Sequence, residues 1–337
     1  MFIRHTEEIL SKEDEFTLSC LDGDNVNTGI ITCVFDESNK NFIESVHRFG
    51  KIVVEIKQTK AALRQGKKKQ AQIIVPKLQT KTIENITGRI QQTIKTTSED
   101  VRGCCFLPDG RMVFTCSFTK RLIVVRSAGS KEFEIKLPCS AFGVTNNTTD
   151  KTVIVSSAFD KFGFSIINIQ DRNVQKFITF ESQCYGLVER NGDLIFCTNS
   201  ELKMLNLHTE TSKTITTAGV SEFSYVDADD RHIYYTSIYK GPLTCCDFHG
   251  VIKWTFATET LPSCLGISVD RNGFLYVLST GSVVLISPCG KQSRRLLSSR
   301  DGLKAAQALY FDKTRDILLV ANRKDKAFLY KVDLLVT

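Results

Sequence analysis

From residue 101 onward, apolar and polar positions alternate in short runs, and each run ends at a polar turn. One unit, a hairpin turn followed by an apolar strand, returns six times. It reads FLPDGRMVFTC at 106–116, VTNNTTDKTVIVSS at 144–157, LVERNGDLIFCT at 187–198, VDADDRHIYYTS at 226–237, ISVDRNGFLYVLS at 267–279 and LYFDKTRDILLVAN at 309–322. The turn centres, near Asp109, Asp150, Asn191, Asp229, Asn272 and Thr314, are about 41, 41, 38, 43 and 42 residues apart. A period of about 40–50 residues built from short strands marks the four-stranded blade of a propeller. The expected fold is all-β, a six-bladed β-propeller over 83–337.

The first five repeats each end in a further strand: KEFEIKLP, NVQKFITF, SKTITT, VIKWTFAT and SRRLLSS. The sixth offers only ALYFD, ILLVAN and AFLYKVD before Thr337. An open seam would expose an unpaired edge, so the missing outer strand must come from elsewhere. GRIQQTIKTT at 88–97 matches the pattern and is expected to close the ring. The competing reading is an amphipathic helix, because Ile83, Ile86, Ile90 and Ile94 also fit one helical face.

Upstream, the pattern changes. Residues 1–14 are charged and read as a short helical remnant, too brief to be stable alone. Residues 15–57 predict a small α+β segment. FTLSCL and GIITCVFD alternate as strands, and KIVVEI returns as a third. Between them SNKNFIESVHRFG carries a helical face of Phe42, Val46 and Phe49, capped by Ser38 or Asn39 and stopped by Gly50. Residues 58–82 form a basic linker around Lys67, Lys68 and Lys69.

Charge sharpens this division. The net charge is +7 over 337 residues, but residues 51–81 alone carry about +8, leaving the remainder near −1. The repeat region is therefore not basic in bulk. No apolar run approaches the ~18 residues of a membrane helix, and MFIRHTEEILSKEDEF lacks the apolar core of a secretory signal. Twelve cysteines are scattered among apolar neighbours with no C-x-x-C pairing, which suits small buried hydrophobes in a reducing compartment. A cytoplasmic protein is expected. Cys245-Cys246-x-x-His249 has no second half-site, so no metal is expected there.

The stretch VRGCCFLPDGRMVFT, with LTCCDFHGVIKWTF, LGISVDRNGFLYV, SVVLISPCGKQSRRLLSSRDGL and DILLVANRKDKAFLYKV, resembles the C-terminal region of tripartite-motif (TRIM) proteins. The likeness is to invertebrate, particularly bivalve, members with an NHL-like propeller. HRFGKIVVE followed by KKKQAQIIVPKLQTKTI is similar to the segment joining coiled coil and propeller in that family. The resemblance implies the recognition end of an E3 ubiquitin ligase. The zinc-binding RING and B-box of a complete member have no counterpart here, so no ligase activity of its own is expected.

Three functions compete. The first is a non-catalytic scaffold that binds a protein on the propeller's loop face. The loops between second and third strands place Phe118, Lys120, Arg121, Phe159, Lys161, Phe162, Tyr239, Lys240, Arg323, Lys324 and Lys326 at one end. The strand-start residues Phe142, Tyr185 and Tyr225 lie toward the same end. The second is single-stranded RNA binding, which needs phosphate-binding cations beside exposed aromatics. Lys67–Lys69 would add non-specific phosphate affinity, but a near-neutral propeller argues against strong binding. The third is a metal-dependent lactonase or hydrolase built on Asp227, Asp229, Asp270 and Asp312. Asp at those positions is explained by turn chemistry alone, and His208, His232 and His249 sit at turn positions without a nucleophile. No catalytic residue, cofactor or small-molecule substrate is expected.

Overall fold

A computed structural model describes residues 81–337 apart from 148, 239–241, 258–260, 262 and 336–337. It also describes the backbone of three earlier strands. The expected helices at 1–14 and 38–50, Lys67, Lys68, Lys69, Tyr239 and Lys240 lie outside the described residues. The chain divides into two compact units at Lys77 and Leu78. In the first, Phe16–Asp22, Asn25–Val34 and Lys51–Ile56 pair antiparallel in chain order.

The second unit is a six-bladed β-propeller. Blade 1 comprises Val101–Phe106, Met112–Cys116, Arg121–Val125 and Lys131–Lys136. Blade 2 comprises Ala141–Asn147, Thr152–Ser157, Gly163–Asn168 and Asn173–Thr179. Blade 3 comprises Leu187–Arg190, Asp193–Cys197, Leu202–Asn206 and Ser212–Thr216. Blade 4 comprises Val226–Ala228, Ile233–Tyr235, Leu243–Cys246 and Ile252–Phe256. Blade 5 comprises Ile267–Val269, Leu275–Ser279, Ser282–Ile286 and Ser293–Leu297. Blade 6 comprises Ala306–Asp312, Ile317–Asn322 and Lys326–Leu334, with Ile86–Lys95 as its outer strand. Each first strand contacts those of both neighbouring blades, which closes the ring.

Small residues set the approach of blade to blade. Gly103 and Gly143 lie within the first strands of blades 1 and 2, and Gly186 and Gly266 immediately precede those of blades 3 and 5. A Cβ on Gly186 would lie 2.5 Å from the Tyr225 Cα and 2.8 Å from the Ser224 carbonyl oxygen. Hydroxyls in or just past the second strands then staple neighbours together. Thr115 Oγ1 accepts from Gly103 N at 2.8 Å and donates to the Phe142 carbonyl at 2.8 Å. Ser156 does the same between Gly143 N and the Tyr185 carbonyl, and Thr236 between Tyr225 N and the Leu265 carbonyl. These buried hydroxyls are satisfied by two blades at once, so they fix the spacing of the loops above them.

Each outer strand carries one extra residue against its partner: Glu132, Gln175, Ile215, Lys253, Leu296 and Gln91. A bulge disrupts the ladder and twists a free edge away from further pairing, a protection that exposed strands need. In the closing strand it has a second effect. It inverts the alternation of sides, so Ile86 packs between blades 5 and 6 while Ile94 packs between blades 6 and 1. Ile90 is left 53% exposed. The helical reading of Ile83, Ile86, Ile90 and Ile94 therefore fails. Their spacing serves a bulged strand, which begins and ends two residues earlier than 88–97. Arg294 anchors its start, donating from Nε to the Ile83 carbonyl at 2.9 Å. Lys81 meets the buried Asp270 at 2.6 Å.

Candidate interaction surface

The loops between second and third strands share one face with the connectors between blades. Asp160 shows this, accepting from the Ser140 N of a connector at 2.8 Å and pairing with Lys120 of the neighbouring loop. Burial pushes its carboxyl up, but the Lys120 ammonium and Ser140 N–H outweigh that and hold it below the usual range.

Aromatic rings dominate the side of this face formed by blades 2 to 4. Phe142 and Tyr225 have centroids 5.1 Å apart, Phe142 and Tyr185 5.3 Å, and Tyr185 and Phe223 5.2 Å. Phe159 lies over them, 6.4 Å from Phe142 and 6.1 Å from Phe223, and is 45% exposed. Phe142, Tyr185 and Tyr225 are buried, so they support the outer rings. Phe223 has φ +61, the left-handed region that a bulky residue rarely occupies. Phe223 belongs neither to a second-to-third-strand loop nor to a strand start, the two places from which the sequence pattern predicts this face. The connector SEFSY at 221–225 brings Phe223 there instead.

Tyr225 occupies the position that glycine holds in four other blades. Its hydroxyl donates to the Arg102 carbonyl at 2.9 Å, and blades 4 and 1 are opposite in a ring of six. The side chain thus bridges the central channel beneath the aromatic cluster. Burial pushes its phenol pKa up, with a hydrogen bond to Gln307 opposing.

The predicted cations divide. Arg323 Nε pairs at 2.6 Å with Asp100, whose side chain is nearly buried, and Arg102 joins the same carboxylate at 3.1 Å. Arg323 also stands 5.9 Å from the ring of Phe118, which is 68% exposed. Arg121 turns to Glu134 of its outer strand at 2.8 Å, away from the rings. Phe162 is half-buried where its carbonyl receives Phe180 N at 2.9 Å. Lys161, Lys324 and Lys326 are exposed, with no ion pair to a described residue. The structure therefore groups Phe118 with Arg323 and Phe159 with Phe223, and it spends three of the six described cations on carboxylates.

The opposite face holds Asp227, Asp229, Asp270 and Asp312, and each already has hydrogen-bond or ion-pair partners, Asp270 with Lys81 and with the Asn272 and Phe274 N–H groups. Asp227 accepts from Ser268 Oγ at 2.8 Å and Val269 N at 2.9 Å. Asp229 accepts from His232 N at 2.7 Å and the Tyr234 hydroxyl at 2.7 Å. Asp312 accepts from Thr314 N at 2.8 Å and pairs with Arg315 at 2.5 Å. Among the described residues no three His, Cys, Asp or Glu side chains converge to hold a metal ion.

Nine of the ten described cysteines are buried and Cys289 is exposed. Burial pushes the Cys105 thiol up to about 12 and Cys264 up to about 11. The Ser287 hydroxyl and Lys291 N–H lower that of Cys289. Only accessible thiolate reacts quickly, so residues 78–337 should show one fast thiol toward Ellman's reagent. Cys289→Ser should remove it; two or more fast thiols would contradict the buried packing of the rest.

No family model and no curated protein matches this chain. Solved structures do share its fold. A protein of unknown function from Bacteroides thetaiotaomicron matches with a TM-score of 0.61 and 9% identity, over 74% of this chain and 76% of that one. Virginiamycin B lyase from Staphylococcus aureus matches at 0.56 and 14% identity, over 73% and 99%. The β-propeller domain of Cps50 (Swd1) from Myceliophthora thermophila matches at 0.56 and 7% identity, over 73% and 100%. At these identities the likeness is one of fold, and the chain is similar to all three in being a β-propeller.

Proposed function

We propose that the propeller is a non-catalytic scaffold that docks a protein partner on its loop face, as the recognition end of TRIM-NHL-type ubiquitin ligases does. The observation that carries this reading is the exposed Phe159 ring on a bed of buried aromatics, with the exposed Phe118 ring beside Arg323 on the same face. Exposed aromatics over a well-packed base are the kind of side chain that anchors protein interfaces. The Tyr225 bridge across the channel also favours a surface contact over a substrate entering the axis.

Single-stranded RNA is the second reading, favoured by Arg323 beside the exposed Phe118 ring. Pairing of Lys120, Arg121 and Arg323 with carboxylates leaves less charge for phosphates than the sequence suggests. Co-purification with and without RNase separates the two. The protein reading expects a partner set unchanged by RNase and lost from a Phe118→Glu, Phe159→Glu variant of unaltered melting temperature. Partners stripped by RNase, or retained by the folded double variant, would overturn it.

A further inference from the structure

A second surface lies outside the loop face, in the wedge between the outer strands of blades 1 and 2. The wedge is a shallow groove of about 480 Å³, open to solvent along its length. Its floor is Leu137 and Pro138 of the blade 1–2 connector, and its far wall is Val174 and Phe177 of blade 2. Leu137 is buried, and Val174 continues the core between these blades. Phe177 is half-buried and extends the apolar wall outward. Arg172 stacks 4.4 Å from the Phe133 ring and closes the wedge at the end away from the loop face. Lys136 stands exposed at the other end, with no ion pair to a described residue. Lys176, also at the groove, turns to Glu210 of blade 3, and no carboxylate lines it.

We infer that this groove takes an extended acidic peptide of the partner, two apolar side chains seated between Pro138 and Phe177 and a carboxylate meeting Lys136. The inference rests on the scaffold reading and adds to it a place and a chemistry. Extended chains present alternate residues to one side, so apolar residues two apart face the floor together. Cations at both ends and the lack of acid select negative flanks. The Gln175 bulge breaks the ladder between the third and outer strands of blade 2. Recognition therefore falls on side chains, in place of strand addition.

The test is fluorescence polarisation of the full chain with a labelled nonapeptide, two leucines separated by one aspartate and flanked by glutamates. Binding in the micromolar range is expected. Phe177→Asp and Lys136→Glu should each weaken it about tenfold or more, the Lys136 effect shrinking as salt rises. Lys136 is exposed, so that variant remains informative if Phe177→Asp unfolds. The Phe118→Glu, Phe159→Glu protein should bind the peptide normally. Absence of binding, or equal binding of a peptide with serines for leucines, would overturn the inference. So would loss in the loop-face variant with retention in the groove variants. That last result would leave the loop-face reading standing and move the peptide onto it.

Discussion

A chain beginning at Glu99 is expected not to fold as a stable monomer, whereas one beginning at Leu78 should unfold in a single cooperative step. The difference is the closing strand. Residues 86–95 pair with the third strand of blade 6 along its whole length, from Leu334 opposite Ile86 to Lys326 opposite Lys95. Ile83, Ile86 and Ile94 are each at most 5% exposed, and burying one such side chain is worth about 2 kcal/mol. The three together, with the ladder and the Arg294 and Lys81 contacts, rival the ~5–15 kcal/mol that holds a domain folded. Loss of the strand also bares the Lys326–Leu334 edge, a template for pairing between chains. Urea titration by circular dichroism and size-exclusion chromatography check this. The shorter chain should aggregate or exchange strands, and a synthetic peptide of residues 81–97 added during refolding should restore the monomer. A stable monomer of the shorter chain, with unchanged midpoint, would refute the role assigned to the seam.

Gly186→Val should be the most damaging single substitution on the ring's inner wall, costing about 3 kcal/mol or more. The obstruction is backbone on three sides: Tyr225 Cα at 2.5 Å, Ser224 O at 2.8 Å and Val226 N at 2.9 Å from the added Cβ. No rotamer change relieves such contacts. Gly186 N also donates to Ser224 O at 2.9 Å, so a shift that made room would break a bond between blades. Because Tyr225 and Phe223 ride on the displaced segment, the aromatic cluster should loosen too. A fall in the urea midpoint, with greater exposure of Phe223 to quenching or solvent exchange, is the expected pair of readings. Gly192→Ala is the control: nothing lies within 4 Å of its added Cβ, and its φ of +85 confines the cost to local strain.

Much of the ring was legible because each blade writes its own turn and strand into the sequence. FLPDGRMVFTC and its five echoes carry a two-residue alternation interrupted at fixed intervals, and local sterics and burial suffice to decode that. The sixth blade's deficit of one strand was also readable, since strand number is a topological count. The bulge at Gln91 was not. Whether Ile90 faces the core depends on its partner strand, and period alone offered a helix as readily.

The candidate site divides the same way. Placing Phe118, Phe159 and Arg323 at one end of the propeller followed from strand order. Their partners did not follow, because Lys120 meets Asp160, and Arg323 meets Asp100, only when different blades are brought side by side. The sequence by itself determined the architecture and which loops emerge together, for both are set by periodicity within single blades. The tertiary structure alone decided which cations are neutralised, that Phe223 joins the cluster, that Tyr225 bridges the channel and that a wedge opens beside Phe177. All four arise from contacts between segments tens to hundreds of residues apart, about which local pattern carries no information.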